Sequence, residues 1–252
     1  MIVDTMLNCI SEDFQRCVVD CINMVLQDDL PRYLAEFQPD TTNCVPHLIG
    51  DLINTKIRKH MVGKSTEVIE FQRWSWKGKI IVDRENRAIF TIMREKRLNQ
   101  LRLENRDKPH YLQSIVGILN ADFIASTKQM NMFGEDYRRF DLDMIEADFE
   151  SIFKGQIEST DGYNHYAIVY DTDHYELTDI SILLLDADLD EVSRVSLNEY
   201  IKPDFSRLTS AEPRLQQEET SEVESSAALL SLRRRQETDA TPVEISKKQK
   251  HA

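Results

Sequence analysis

The sequence predicts an α+β protein: a mainly antiparallel sheet of about five to six strands, packed with N-terminal and central helices and followed by a disordered C-terminal tail. Three observations carry this reading. Apolar side chains recur with a 3.6-residue period over 3–27, the mark of an amphipathic helix. Two blocks of β-branched and aromatic runs, one starting at 66 and one at 165, stand apart with helical sequence between them, a segregated order unlike alternating βαβ units. The last 47 residues, 206–252, hold no aromatic and no glycine, too little apolar surface to offset chain entropy. The expected organisation is a single α+β domain over 1–205, with an N-terminal helical part at 1–63, and a tail over 206–252.

The elements follow in order. Val3, Met6, Leu7, Ile10, Phe14, Cys17, Val18, Cys21, Ile22, Val25 and Leu26 line one face of the first helix. A shorter helical piece, "RYLAEF", follows Pro31, and "QPDTTNCVPH" is a connector. Leu48, Ile49, Leu52, Ile53, Ile57 and Met61 mark a second helix. "TEVIEFQRWSW", "GKIIVD" and "AIFTIM" read as three antiparallel strands. "REKRLNQLRL" returns to helix, and "RDKPHYLQSIVGILN" starts another, with Asp107 as N-cap and Pro109 in the first turn. "DLDMIEADFESIFKG" is a further helix closed by Gly155. "HYAIVYD", "YELTDISILLLD" and "EVSRVSL" supply the remaining strands. Within the tail, "EVESSAALLSLRRRQ" has acids first and arginines last, an order that suits a short helix folding onto a partner.

Charge is the most informative feature. The chain of 252 residues carries a net charge of -13, which argues against non-specific nucleic-acid binding by the whole molecule. Yet residues 56–108 hold 15 Lys or Arg against 7 Asp or Glu, while residues 135–199 hold 4 against 18. Either the basic middle packs beside the acidic segment and is neutralised there, or it faces a polyanion. The second possibility nominates Arg73, Lys77, Lys79, Arg94, Lys96, Arg97 and Arg102 as the contact surface. A four-residue turn, "RENR" at 84–87, sets Asp83 opposite Ala88, Ile81 opposite Phe90, Lys79 opposite Ile92 and Lys77 opposite Arg94. Like charges so placed demand an anion: Glu67, Glu70, the acidic helix or a phosphate. Trp74 and Trp76 lie at the same end, as core side chains or as platforms on which bases stack.

The stretch "DRENRAIFTIMREKR" superficially resembles restriction-type nucleases, which carry an Asp on one strand and Glu-x-Lys on the next. Here Glu95 is followed two places on by Arg97 rather than lysine. Asp83 sits at the turn, and Glu95 lies seven residues beyond Ala88, about 23 Å along the strand, too far to share a cation. A divergent metal-dependent nuclease would need Glu67 or Glu70 to join Glu95. "DTDH" at 171–174 could bind a cation but also suits a hairpin loop. "DADLDE" at 186–191 opens like a calcium loop, yet has Glu191 at position 6 and Leu197 at position 12.

Cys9, Cys17 and Cys21 share the apolar face of the first helix and read as core, without zinc-type spacing. His47, His60, His110, His165 and His174 are scattered. No phosphate loop, nucleophile elbow or His-Glu-x-x-His is present. No cofactor or metal is therefore expected. The N-terminus lacks a basic n-region, and no apolar run approaches the roughly 18 residues of a spanning helix, so a cytoplasmic protein without a membrane partner is expected. The make-up, short basic strands and few glycines, resembles uncharacterised bacterial or phage-borne proteins. The leading expectation is a non-enzymatic protein that acts by binding, with the basic hairpin and the following helix as the contact surface and nucleic acid as the candidate ligand. The alternative is a regulatory or assembly protein that binds another protein through its first helix or its tail.

Overall fold

The apolar stripe of the first helix becomes α1, Glu12–Met24, in the computed structural model, which describes residues 10–63, 65–73, 75–123 and 140–202. Ser11 caps α1 by accepting from the Phe14 amide at 3.3 Å, and Glu12 and Asp13 complement the dipole in its first turn. The helix then widens into a π segment, Val25–Asp29, and continues as α2, Leu30–Phe37. Pro31, in the first turn of α2, has no N–H for the turn before it. α3, Val45–His60, follows, with Arg58, Lys59 and His60 at its negative end.

The six strands are β1 Thr66–Arg73, β2 Trp76–Asp83, β3 Ala88–Arg94, β4 Asn164–Asp173, β5 Glu176–Leu185 and β6 Glu191–Ser196. They form one sheet in chain order. All neighbours are antiparallel except β3 and β4, which are parallel. The sheet is thus two three-stranded meanders joined side by side. A parallel junction needs a long crossover, and α4 (Glu95–Leu103), α5 (Tyr111–Leu119) and α6 (Leu142–Phe153) lie along it. The fold is mixed α+β, as expected; the parallel junction was not.

Both faces of the sheet are covered. On one, Val18, Ile22, Val25, Ile49, Ile53 and Ile57 of α1, the π segment and α3 pack against Ile81, Phe90, Ile168 and Ile182. On the other, Leu98, Leu112, Ile115, Val116, Phe149 and Phe153 of α4–α6 pack against Ile80, Val82, Ile89, Val169 and Leu183. Two-sided burial explains why "KIIVD" and "ILLLD" are continuously apolar instead of alternating. Asn120, at the end of α5, ties that helix to the sheet. Its amide donates to the carbonyls of His165 and Leu185, both at 2.9 Å, and its oxygen accepts from the His165 amide at 2.8 Å.

Local corrections have clear causes. Trp76 opens β2 and pairs with Arg73, so β1 and β2 form a tight hairpin where the sequence suggests a longer first strand. Phe71 lies opposite Gly78, and a Cβ there would sit 2.6 Å from its ring; only glycine leaves room for it. The N-cap of α5 is His110, not Asp107: its ring accepts from the Leu112 amide and Gln113 returns a bond to its own amide. Asp83 and Ala88 are paired, as are Ile81 and Phe90, but the β2–β3 ladder ends there. Beyond it β3 continues against β4, while Lys79 and Lys77 face Glu70 and Gln72 of β1. Lys77 therefore does not lie opposite Arg94 in a ladder. Cys9, Trp74, the tail over 206–252 and its helical island lie outside the described residues.

Candidate functional site

The seven nominated cations divide into three groups. Arg94, Lys96 and Arg102 lie toward β4–β6. Arg94 donates to Thr172 Oγ1 at 2.7 Å and stands 4.0 Å from Asp171. Arg102 donates to the Leu189 carbonyl at 2.8 Å and to Asn99 at 3.0 Å, bracing the β5–β6 turn. Lys96 is exposed beside a shallow depression lined by Glu95, Asn99, Gln100, Leu103 and Asp171, with no ion pair among the described residues. These three serve α4 and its neighbours, and do not join the others.

Arg73 and Arg97 lie near the start of α5, while Lys77 and Lys79 leave the opposite face of the sheet beside Glu70, as the alternation along β1 and β2 requires. Arg73 donates to the Pro109 carbonyl at 2.7 Å and pairs with Asp148 of the acidic helix α6 at 3.1 Å. Asp148 also accepts from the Ser114 hydroxyl at 2.6 Å. Lys79 bonds to Glu70, and Lys77 reaches the same carboxylate at 3.7 Å with its own side chain 63% exposed. The two lysines, Lys79 first, hold the Glu70 carboxyl below its ordinary range. Arg97 pairs with Glu104 at 3.0 Å, and Arg106 binds the same carboxylate.

An aromatic stack completes this corner. Trp76, 46% exposed, stacks on Tyr111 at 5.2 Å between centroids and meets the edge of Phe71 at 5.3 Å. His110 lies 4.2 Å from Tyr111. Burial, then the positive fields of Arg97, Arg106 and Arg73, push the His110 imidazole down to about 3. It is neutral at physiological pH and acts as a cap, not as a proton donor. The corner sets a half-exposed indole beside Arg73, with Arg97 and Arg106 near His110. Arg106 and Tyr111 escaped the sequence reading, and His110 was read there only as a scattered histidine, because all three are far from Trp76 in sequence and are brought to it only by the crossover.

The nuclease-like carboxylates are each engaged elsewhere. Asp83 is a turn organiser: it accepts from the amides of Glu85 and Asn86, both at 3.1 Å. Glu67 binds Arg84 across the hairpin, and Glu70 holds the two lysines. Glu95 opens α4 instead of lying on a strand, and binds Arg194 of β6 at 2.8 Å. No described contact joins Glu95 to Glu67 or Glu70. Among the described residues no group of three or more His, Cys, Asp or Glu side chains is placed to hold a metal ion. "DTDH" is the β4–β5 hairpin tip, and Asp186 organises its own loop by accepting from the amides of Asp188 and Asp190 at 3.0 Å each.

Fold and corner together define a mixed-sheet α+β protein with a half-exposed aromatic stack beside Arg73. The chain belongs to DUF5986, a family of unknown function, whose model matches residues 7–244. No curated protein and no solved structure matches it. No helix among the described residues is long and apolar enough to cross a membrane.

Proposed function

We propose that this is a cytoplasmic, non-catalytic binding protein that takes up single-stranded nucleic acid at the Trp76 corner. The observation that carries the reading is the indole itself: half-exposed, held flat against Tyr111, with Arg73 opposite it on β1. Single strands are bound by such pairings of aromatic platforms, on which any base stacks, with cations that follow the backbone. The net charge of -13 and the internal pairing of most nominated cations favour a short contact over a broad basic groove.

The test is fluorescence anisotropy with labelled oligo-dT and oligo-U of about 12 nucleotides at low salt. The parent binds, and Trp76→Ala weakens binding about tenfold or more, in line with the loss of one stacked base. Arg94→Glu, remote from the corner, stays within about twofold. Absence of binding at low salt, or a Trp76→Ala protein that binds as tightly as the parent, removes the proposal.

A further inference from the structure

Two guanidiniums converge on one carboxylate where α4 gives way to the link before α5. Arg97 stands in the first turn of α4, and Glu104 is the first residue beyond that helix. Arg97 Nη1 donates to Glu104 Oε1 at 3.0 Å, and Arg106 Nε donates to Oε2 of the same group. Each carboxylate oxygen thus receives its own arginine. Planar forks that converge on two oxygens of one anion are also how arginines hold a phosphate. The side chains of Arg97, Glu104 and Arg106 are 38%, 37% and 30% exposed, so solvent reaches the whole group. Ion pairs this exposed are weak and screened by salt. Arg97 also donates to Gln100 Oε1 at 3.3 Å, a contact that holds its side chain without the carboxylate. The group belongs to the Trp76 corner. After burial, Arg97 and then Arg106 are the strongest influences against a proton on the His110 ring. That ring lies 4.2 Å from Tyr111, on which the indole stacks at 5.2 Å.

From this geometry we infer that Arg97 and Arg106 form a phosphate-binding fork, which Glu104 fills as an internal substitute until a phosphodiester of the bound strand displaces it. The ligand follows from the single-strand reading of the Trp76 corner; the fork stands on its own contacts. Binding then exchanges one anion for another at the same two guanidiniums. The incoming phosphate must overcome the attraction that Glu104 already enjoys, so this carboxylate weakens a contact that its arginines would otherwise support in full. Neutralising Glu104 without changing its shape exposes the fork.

Fluorescence anisotropy of the full chain at low salt tests this with two labelled probes of about 12 nucleotides: oligo-dT, and an abasic deoxyribose-phosphate chain that has a backbone but no bases. Glu104→Gln binds both probes about fivefold tighter than the parent. With Arg97→Gln and Arg106→Gln added, the same change brings no gain. Glu12→Gln removes an equal charge from the Arg16 pair on α1 and stays within about twofold of the parent, which separates the fork from net charge. A Glu104→Gln protein that binds the abasic chain no tighter than the parent overturns the inference. So does a gain that survives the loss of both arginines, or one that Glu12→Gln reproduces. The two proposals fail separately. If Trp76→Ala leaves oligo-dT binding unchanged while the arginine-dependent gain on the abasic chain persists, the stacking reading falls and the fork stands.

Discussion

Two imidazoles are buried without charge, and this sets the molecule's acid response. His165 lies wholly inside the sheet, its Nε2 3.0 Å from the Thr91 hydroxyl and its Nδ1 without a partner. Burial pushes it down to about 3, the same level as His110. In the unfolded chain both titrate near 6.5. Above that pH they cost nothing. As pH falls from about 6.5 toward 3, the unfolded state binds protons that the folded state refuses, so stability falls by up to about 1.4 kcal/mol per pH unit for each. Urea unfolding between pH 6.5 and 5 measures this loss, and His110→Gln should flatten it by about one proton. A flat profile in the parent contradicts neutral burial. Asn23 offers a test of opposite sign. Both its side-chain polar atoms are buried without partners. Asn23→Leu, similar in volume, should stabilise the protein by about 1 kcal/mol; destabilisation would mean that the amide has a partner in solution.

At the scale of elements, turn chemistry decided what could be read in advance. "DRENR" was legible because Asp83 caps its own turn and fixes the register at Asp83–Ala88. The strands "GKIIVD" and "HYAIVYD" were legible as apolar runs. The tight connection between Arg73 and Trp76 was not, because the sequence there carries no turn signal and the β1–β2 pairing is settled by the packing of Phe71 over Gly78. The cap of α5 was misassigned because an imidazole nitrogen takes the place that the sequence offered to Asp107. The β4–β5 tip is unusual: His174 and Tyr175 both adopt positive φ, 47° and 66°, where Asn and Gly are the common occupants. Tyr175 packs on the core, whereas His174 is 89% exposed and touches only Asp173 of its own tip among the described contacts. His174→Asn should therefore stabilise by about 0.5 kcal/mol in thermal unfolding; a loss would show that the imidazole is needed at the tip. Asn120→Ala should cost about 3 kcal/mol, since it strands two buried carbonyls and one amide. A loss near zero would mean that water replaces the clamp.

For the whole molecule, the charge map was readable and its resolution was not. The basic middle and acidic second half are plain in the sequence, and Arg73 with Asp148 is one place where they meet. Most of the neutralisation, however, is local: Glu70 for Lys77 and Lys79, Glu104 for Arg97 and Arg106, Glu67 for Arg84. Those pairs join neighbouring strands or one helix and its exit, which a count over long segments cannot separate from an exposed surface. The nominated cations are scattered in the fold: Arg73 and Arg97 lie near the start of α5, Lys77 and Lys79 leave the opposite face of the sheet beside Glu70, and Arg94, Lys96 and Arg102 lie toward β4–β6.

The account turns on how many of these cations are free to meet an outside phosphate, and the salt dependence of oligo-dT binding counts them. Each phosphate neutralised on a single strand contributes about -0.7 to the slope of log K against log salt. Engagement of the Trp76 corner alone, with about three cations, predicts a slope near -2. A slope near -5, as all seven nominated side chains acting together would give, would contradict internal neutralisation, and a slope of zero would contradict phosphate contact altogether.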